Sequence, residues 1–156
     1  NLRGDIQIVN LRGNIETRIS KIQSENLDGI VIAYAALKRL NLSSYTSYVF
    51  GIEEITPCPG QGTICIECLR KSPYRDILRR INNKDVFIQT EFERNVLKIL
   101  GGGCYSSIGV CAQTDESNIY AIASFFKDGE LIKANIVGKK DDYLSLAQEL
   151  SKRLIK

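Results

Sequence analysis

The 156-residue chain reads as an α/β segment followed by a small α+β domain, and three observations predict it. Strand-like and helix-like stretches alternate through the first third, the order that builds a parallel sheet. A breaker cluster, Pro57-Cys58-Pro59-Gly60-Gln61-Gly62, interrupts that order. Beyond it come two helical periodicities, three strand-like segments and a last amphipathic helix. This is the texture of an antiparallel three-stranded sheet packed with helices.

Taken in order, residues 5–10 alternate and are rich in branched side chains, as a strand is. Leu11-Arg12-Gly13-Asn14 follows as a turn, with Asn14 a good N-cap for a helix carrying Ile15, Ile19 and Ile22 and running to Ser24. Residues 28–33 are a short continuous apolar run, the signature of a buried parallel strand. Residues 35–40 form a short helix. Residues 63–68 alternate as another strand, and residues 76–82 and 85–100 carry helical periodicity. The expected buried face of the longer helix is Val86, Phe87, Val96, Leu97 and Leu100. Strands are expected at 107–113, 119–126 and 131–137, the last two joined by the hairpin signal Lys127-Asp128-Gly129-Glu130. Residues 142–155 close the chain as a helix.

Hydrophobic content of 44% and charged content of 25% are those of a globular protein. No apolar run approaches a membrane span, and no signal peptide opens the chain. Five cysteines, an odd number, argue against a disulfide framework, so a reducing compartment, the cytoplasm, is the expectation. With no histidine, histidine acid–base catalysis and histidine-ligated metal are excluded for these residues. The chain opens on Asn1-Leu2-Arg3 without a methionine and reads as a fragment of something longer. A net charge of +3 from dispersed basic residues, with no clustered basic face, speaks against nucleic acid.

Gly101-Gly102-Gly103-Cys104-Tyr105-Ser106-Ser107-Ile108-Gly109 sits just past the longest helix. Two readings stand on these residues alone. One is a helix C-cap followed by a small buried thiol; the other is a thiol held out on an exposed turn. Arg12 and Arg18 flank a strand-to-helix corner, and Lys38-Arg39 follows the second strand at the same sheet edge. That is where ligands of open α/β sheets bind, and several cations there suit a ligand with several carboxylates. Cys65-x-x-Cys68 resembles half a metal site. Residues three apart on a strand face opposite ways, and no second pair exists, so these are expected to be core cysteines, with no metal bound.

In order and spacing these segments resemble the porphobilinogen deaminase (hydroxymethylbilane synthase) family. The match runs through Leu11-Arg12-Gly13-Asn14-x-x-Thr17-Arg18 and Asp28-Gly29-Ile30-Val31-Ile32-Ala33-x-Ala35-x-Leu37-x-Arg39-Leu40. It continues through Gly60-Gln61-Gly62-x-x-x-Ile66-Glu67-Cys68, Glu93-Arg94 and Gly102-Gly103-Cys104-x-x-x-Ile108-Gly109. The resemblance implies a transferase of tetrapyrrole (haem) biosynthesis that condenses four porphobilinogens, losing ammonia each time. It implies a dipyrromethane cofactor on a thioether at Cys104, with Arg12, Arg18 and Arg39 holding carboxylates of cofactor and substrate. Ala36, Gln61 and Gly62 would line the cleft and hinge. The family's catalytic aspartate would lie N-terminal to Asn1, so no catalytic residue is expected here, and the chain alone is expected to be inactive.

The implied architecture has three parts. Residues 1–56 would be the end of a second α/β domain, built like a periplasmic binding protein. Residues 57–72 would be a strand and hinge returning toward a first domain, and 73–156 the cofactor-anchoring third domain. The implied partners are porphobilinogen and the N-terminal half of the same enzyme, in a molecule that is monomeric when complete. Ala36, Pro59, Phe92 and Ser107 depart from the family's usual glycine, small aliphatic residue, alanine and proline. A relative that merely binds a small polycarboxylate or pyrrole is the alternative.

Overall fold

The computed structural model describes residues 4–102 and 107–155 and divides into two compact units, 1–50 and 51–156.

The first unit is helical where helices are expected. Helix α1 spans Ile15–Ser24, and the Asn14 side chain caps it by accepting from the Thr17 amide at 2.8 Å. Gly13 precedes the cap at φ +126°, and a Cβ built there would lie 2.8 Å from Thr17 Cγ2, so glycine is required. Helix α2 spans Tyr34–Arg39, followed by a single 3-10 turn at Ser43–Tyr45. The two strands expected at residues 5–10 and 28–33 are not paired: among the described residues this unit contains no sheet. A strand exists only through its neighbours' backbone groups, and the pattern gives no partner for either run. Their apolar side chains stay in the open, Ile8 at 91% and Val31 at 76% exposure. Of this unit's described residues only Leu37 is buried.

The second unit has a true core. Helix α3 (Arg75–Arg80) and helix α4 (Lys84–Ile99) precede strands β1 (Ile108–Thr114), β2 (Asn118–Lys127) and β3 (Glu130–Lys139), and helix α5 (Tyr143–Ile155) follows. The strands form an antiparallel sheet in the order β1-β2-β3. Its register pairs Val110 with Ala123 and Ala123 with Ala134, so one face alternates inward along all three strands. The β2–β3 turn is the two-residue hairpin expected, with Asp128 at φ 52° and Gly129 at φ 87°, the left-handed pair that matches strand twist. Helix α4 packs against β1 and α5, and α5 against β2 and β3. Phe92, Val96, Ile119, Leu150 and Leu154 are wholly buried between these layers.

The buried face of α4 agrees with the expectation at its C-terminal end, where Val96 is buried and Leu97 and Leu100 pack against the core, and differs nearer its start. It is Ile88, Phe92, Glu93 and Val96, whereas Val86 is 37% and Phe87 50% exposed. Asn83 caps the helix by accepting from the Asp85 and Val86 amides. From that start Ile88, Phe92 and Val96 stack at four-residue spacing, while Phe87 falls about 100° round the axis. Phe92, the departure from the family's alanine, fills the centre of the core.

Candidate functional site

The glycine run closes helix α4. Gly102 N–H donates to the Leu97 carbonyl at 3.0 Å and Gly101 N–H to that of Lys98 at 3.2 Å, with Gly101 at φ +68°. This pair of bonds is a Schellman cap, which uses carbonyls that the helix leaves unpaired. Two of the three glycines therefore end a helix. Cys104 lies outside the described residues; Ser107 is described, and its carbonyl accepts from the Phe126 amide at 3.0 Å.

Arg12 and Arg18 bracket one corner. Arg18 reaches back five residues and its Nε donates to the Gly13 carbonyl at 2.8 Å, so the guanidinium is held at the entry to α1. Arg12 is exposed on the preceding turn. Arg39 is the last residue of α2, where the helix dipole favours a cation. Among the described residues none of the three is ion-paired. Lys38 is instead held 4.8 Å from the centre of the Tyr34 ring, a cation–π contact. Ala36 is half-buried on the same helix.

The breaker cluster is a turn clamped to the edge of the sheet. Within it Cys58 N–H donates to Gln61 Oε1 at 3.1 Å and Gln61 N–H to the Cys58 carbonyl at 3.0 Å. Gln61 thus commits its side-chain oxygen to its own turn. Gly60 and Gly62 stand at φ +73° and +86° on either side of it. Strand β1 is an edge strand, and its outward amides need acceptors. Val110 N–H donates to the Pro57 carbonyl at 2.8 Å, and Ala112 N–H to Glu93 Oε1 at 2.8 Å. The other Glu93 oxygen accepts from Gly60 N–H at 2.6 Å. At Gly109 a Cβ would meet the Thr56 carbonyl at 2.5 Å and Ser124 Oγ at 2.7 Å, so only glycine lets the turn lie this close.

Burial pushes the Glu93 carboxyl above its ordinary pKa, and the two backbone N–H bonds oppose that shift. Burial, and then the Glu93 charge, push the Cys111 thiol up. In the sequence Glu93 stands out only as part of a motif. The signal that could have found it is an acid between Phe92 and Val96, on the stripe that faces inward.

Cys65 and Cys68 are exposed and do not belong to the core. The reason is the one that leaves residues 5–10 open: residues 63–68 run without a partner strand, and Ile64 and Ile66 are exposed with them. Among the described residues no group of three or more cysteine and carboxylate side chains could hold a metal. Nor, among them, is any helix long and apolar enough to cross a membrane.

The fold and this geometry define a chain of two units, the second an α+β domain whose glycine-rich turn is fixed to a sheet edge by a buried carboxylate. Comparison with known proteins is specific. The family model "porphobilinogen deaminase, dipyromethane cofactor binding domain" matches residues 1–77. A porphobilinogen deaminase of Caldicellulosiruptor saccharolyticus is 67% identical over 154 residues, 99% of this chain and 53% of that protein. Porphobilinogen deaminases of Clostridium kluyveri and Clostridium perfringens are 42% and 38% identical, covering 99% and 98% of this chain and 53% of each relative. The chain belongs to the porphobilinogen deaminase family. It spans about half the length of the curated relatives it matches.

Proposed function

We propose that this chain is the C-terminal half of a porphobilinogen deaminase, a cytoplasmic transferase that condenses four porphobilinogens into a linear tetrapyrrole with loss of ammonia. The observation that carries the reading is 67% identity over 99% of the chain to a protein of that name.

The donor set suits the dipyrromethane cofactor, whose carboxylates call for cations. Arg12, Arg18 and Arg39 all lie within the matched residues 1–77, and none is paired with a protein carboxylate among the described residues. When bound, the cofactor supplies the primer to which pyrrole units are added. In this reading Cys104 carries it through a thioether, and the three arginines hold acetate and propionate groups of cofactor and growing chain. Pairing of a guanidinium with a carboxylate is bidentate and charge-assisted, which fixes orientation as well as affinity. Ala36 lines the cleft, and Gln61 and Gly62 belong to the hinge beside it.

The domain plan follows from the same reading. Residues 1–56 end a periplasmic-binding-protein-like second domain, 57–72 return toward a first domain, and 73–156 form the third. The runs at 5–10, 28–33 and 63–68 then become strands by pairing with segments of the N-terminal half. Their exposed isoleucines and valines support this, since apolar surface left open in that way marks an interaction site. The catalytic aspartate comes from that half, and the present chain alone does not turn over substrate.

The test is an intact mass of the full-length enzyme under denaturing conditions, with the modified peptide mapped. One dipyrrole adduct is expected on Cys104, retained in Cys65→Ser and Cys68→Ser and lost in Cys104→Ser. A dipyrrole on the Cys104→Ser protein would refute the assignment.

A further inference from the structure

Glu93 is costly where it stands. It is 8% exposed. A buried carboxylate without a cation is tolerated only where backbone donors satisfy it. Its oxygens serve two segments far apart in sequence, Gly60 in the turn and Ala112 in β1, at 2.6 Å and 2.8 Å. A glutamine there would present an amide N–H to one of these donors, and an apolar residue would leave both unpaired.

The turn it holds rests on two left-handed glycines. Gly60 and Gly62 flank Gln61 in the left-handed region, and no atom lies within 4 Å of a Cβ built on either. These glycines are there for backbone conformation, not for lack of room. The turn's remaining ties run to the same two elements: Pro57 to Val110 of β1, and Thr63 Oγ1 to Thr90 Oγ1 of α4 at 3.3 Å. Of these, the Glu93 carboxylate alone joins the turn, the helix and the strand at one point.

From this geometry we propose that Glu93 is a positioning residue of the deaminase. It fixes the turn at residues 58–62, and with it Gln61, relative to the sheet, so that the hinge moves from a defined anchor. The role rests on the function proposed above.

The experiment is Glu93→Gln in the full-length enzyme, with hydrogen exchange at individual amides and kinetics per cofactor-loaded molecule. Gly60 N–H should exchange at least tenfold faster while the Ala121 and Ala123 amides keep their protection. The kcat per loaded molecule should fall at least threefold, since the carboxylate-binding arginines lie outside the turn. A merely structural glutamate would lower the yield of folded enzyme and leave kcat per loaded molecule alone. A smaller fall in kcat, a change confined to KM, or unchanged Gly60 exchange overturns the proposal. Where the glutamine variant does not fold, Glu93→Asp, which keeps the charge and withdraws it from one donor, is read the same way. If the wild-type full-length protein fails to turn over porphobilinogen, the function is wrong, and the exchange at Gly60 still judges the anchor.

Discussion

Replacing Phe92 by alanine would restore the residue usual in the family and remove the centre of this core. Phe92 is wholly buried and lies in one cluster with Val96, Val110, Ala123, Leu150 and Leu154. Truncating a buried phenylalanine costs about 3–5 kcal/mol, the lost transfer energy plus the cavity left behind. Area gives the same scale, since about 150–250 Å² at about 25 cal/mol/Å² is roughly 4–6 kcal/mol as an upper bound. Against the about 5–15 kcal/mol that a domain ordinarily has, that is roughly a fifth of its stability or more. The chain contains no tryptophan to report unfolding by fluorescence. Native-state hydrogen exchange at Ala121 and Ala123 of β2 is the better assay, because both pair within the sheet and report opening of this unit. At about 1.4 kcal/mol per tenfold, their exchange should accelerate by roughly two to four decades. An acceleration below about fivefold, or roughly 1 kcal/mol, would show that Phe92 does not organise the core and that this packing is wrong.

Three further outcomes are expected. Gly109→Ala should destabilise the second unit by about 1–3 kcal/mol. Its methyl meets the Thr56 carbonyl, so exchange should also speed up at Val110, whose amide bonds Pro57; wild-type exchange would contradict the close approach. Arg12→Leu and Arg18→Leu in the full-length enzyme should each weaken pyrrole carboxylate binding by about 1.5–3 kcal/mol, one to two decades in affinity, and unchanged binding in both would remove them from the site. The Glu93 carboxyl is raised in the folded state, so its contribution to stability is present below the ordinary carboxylate pKa and lost as pH rises through the folded value. The melting temperature of wild type minus that of Glu93→Gln should therefore grow as the pH falls toward 4.5, and a difference that shrinks instead would reverse the sign of the shift.

Much of the second unit is legible in the chain because its signals are local. Asn83 and Asn14 cap the helices they precede, Asp128-Gly129 turns the hairpin, and the alternation along β2 matches its buried face. Propensity, turn chemistry and packing agree there, which is what makes such elements readable. The illegible parts share one cause, which is that pairing is not local. The β-rich runs at 5–10, 28–33 and 63–68 have the composition of strands, yet a strand is defined by its neighbour. Cys65 and Cys68 would reach a core only through such a pairing and are exposed without it. The phase of α4 is obscure for a different reason: a buried glutamate reads as a polar interruption until its two amide donors are seen. At the site, the arginine corner is readable from cap and charge. The clamp joining Gly60, Glu93 and Ala112 links residues far apart in sequence, and no spacing rule reaches it.

The cap that ends α4 and the start of β1 are two fixed ends of one body. On one side the backbone is pinned by Gly102 to Leu97, and on the other by Ser107 to Phe126 and then by β1 itself. Both pins belong to the same packed body. Phe92 and Val96 help set how α4 sits on β1, and so where the two pinned ends stand relative to each other. Core substitutions at these positions would then shift the end of α4 against the start of β1 while both terminal hydrogen bonds keep their donors and acceptors.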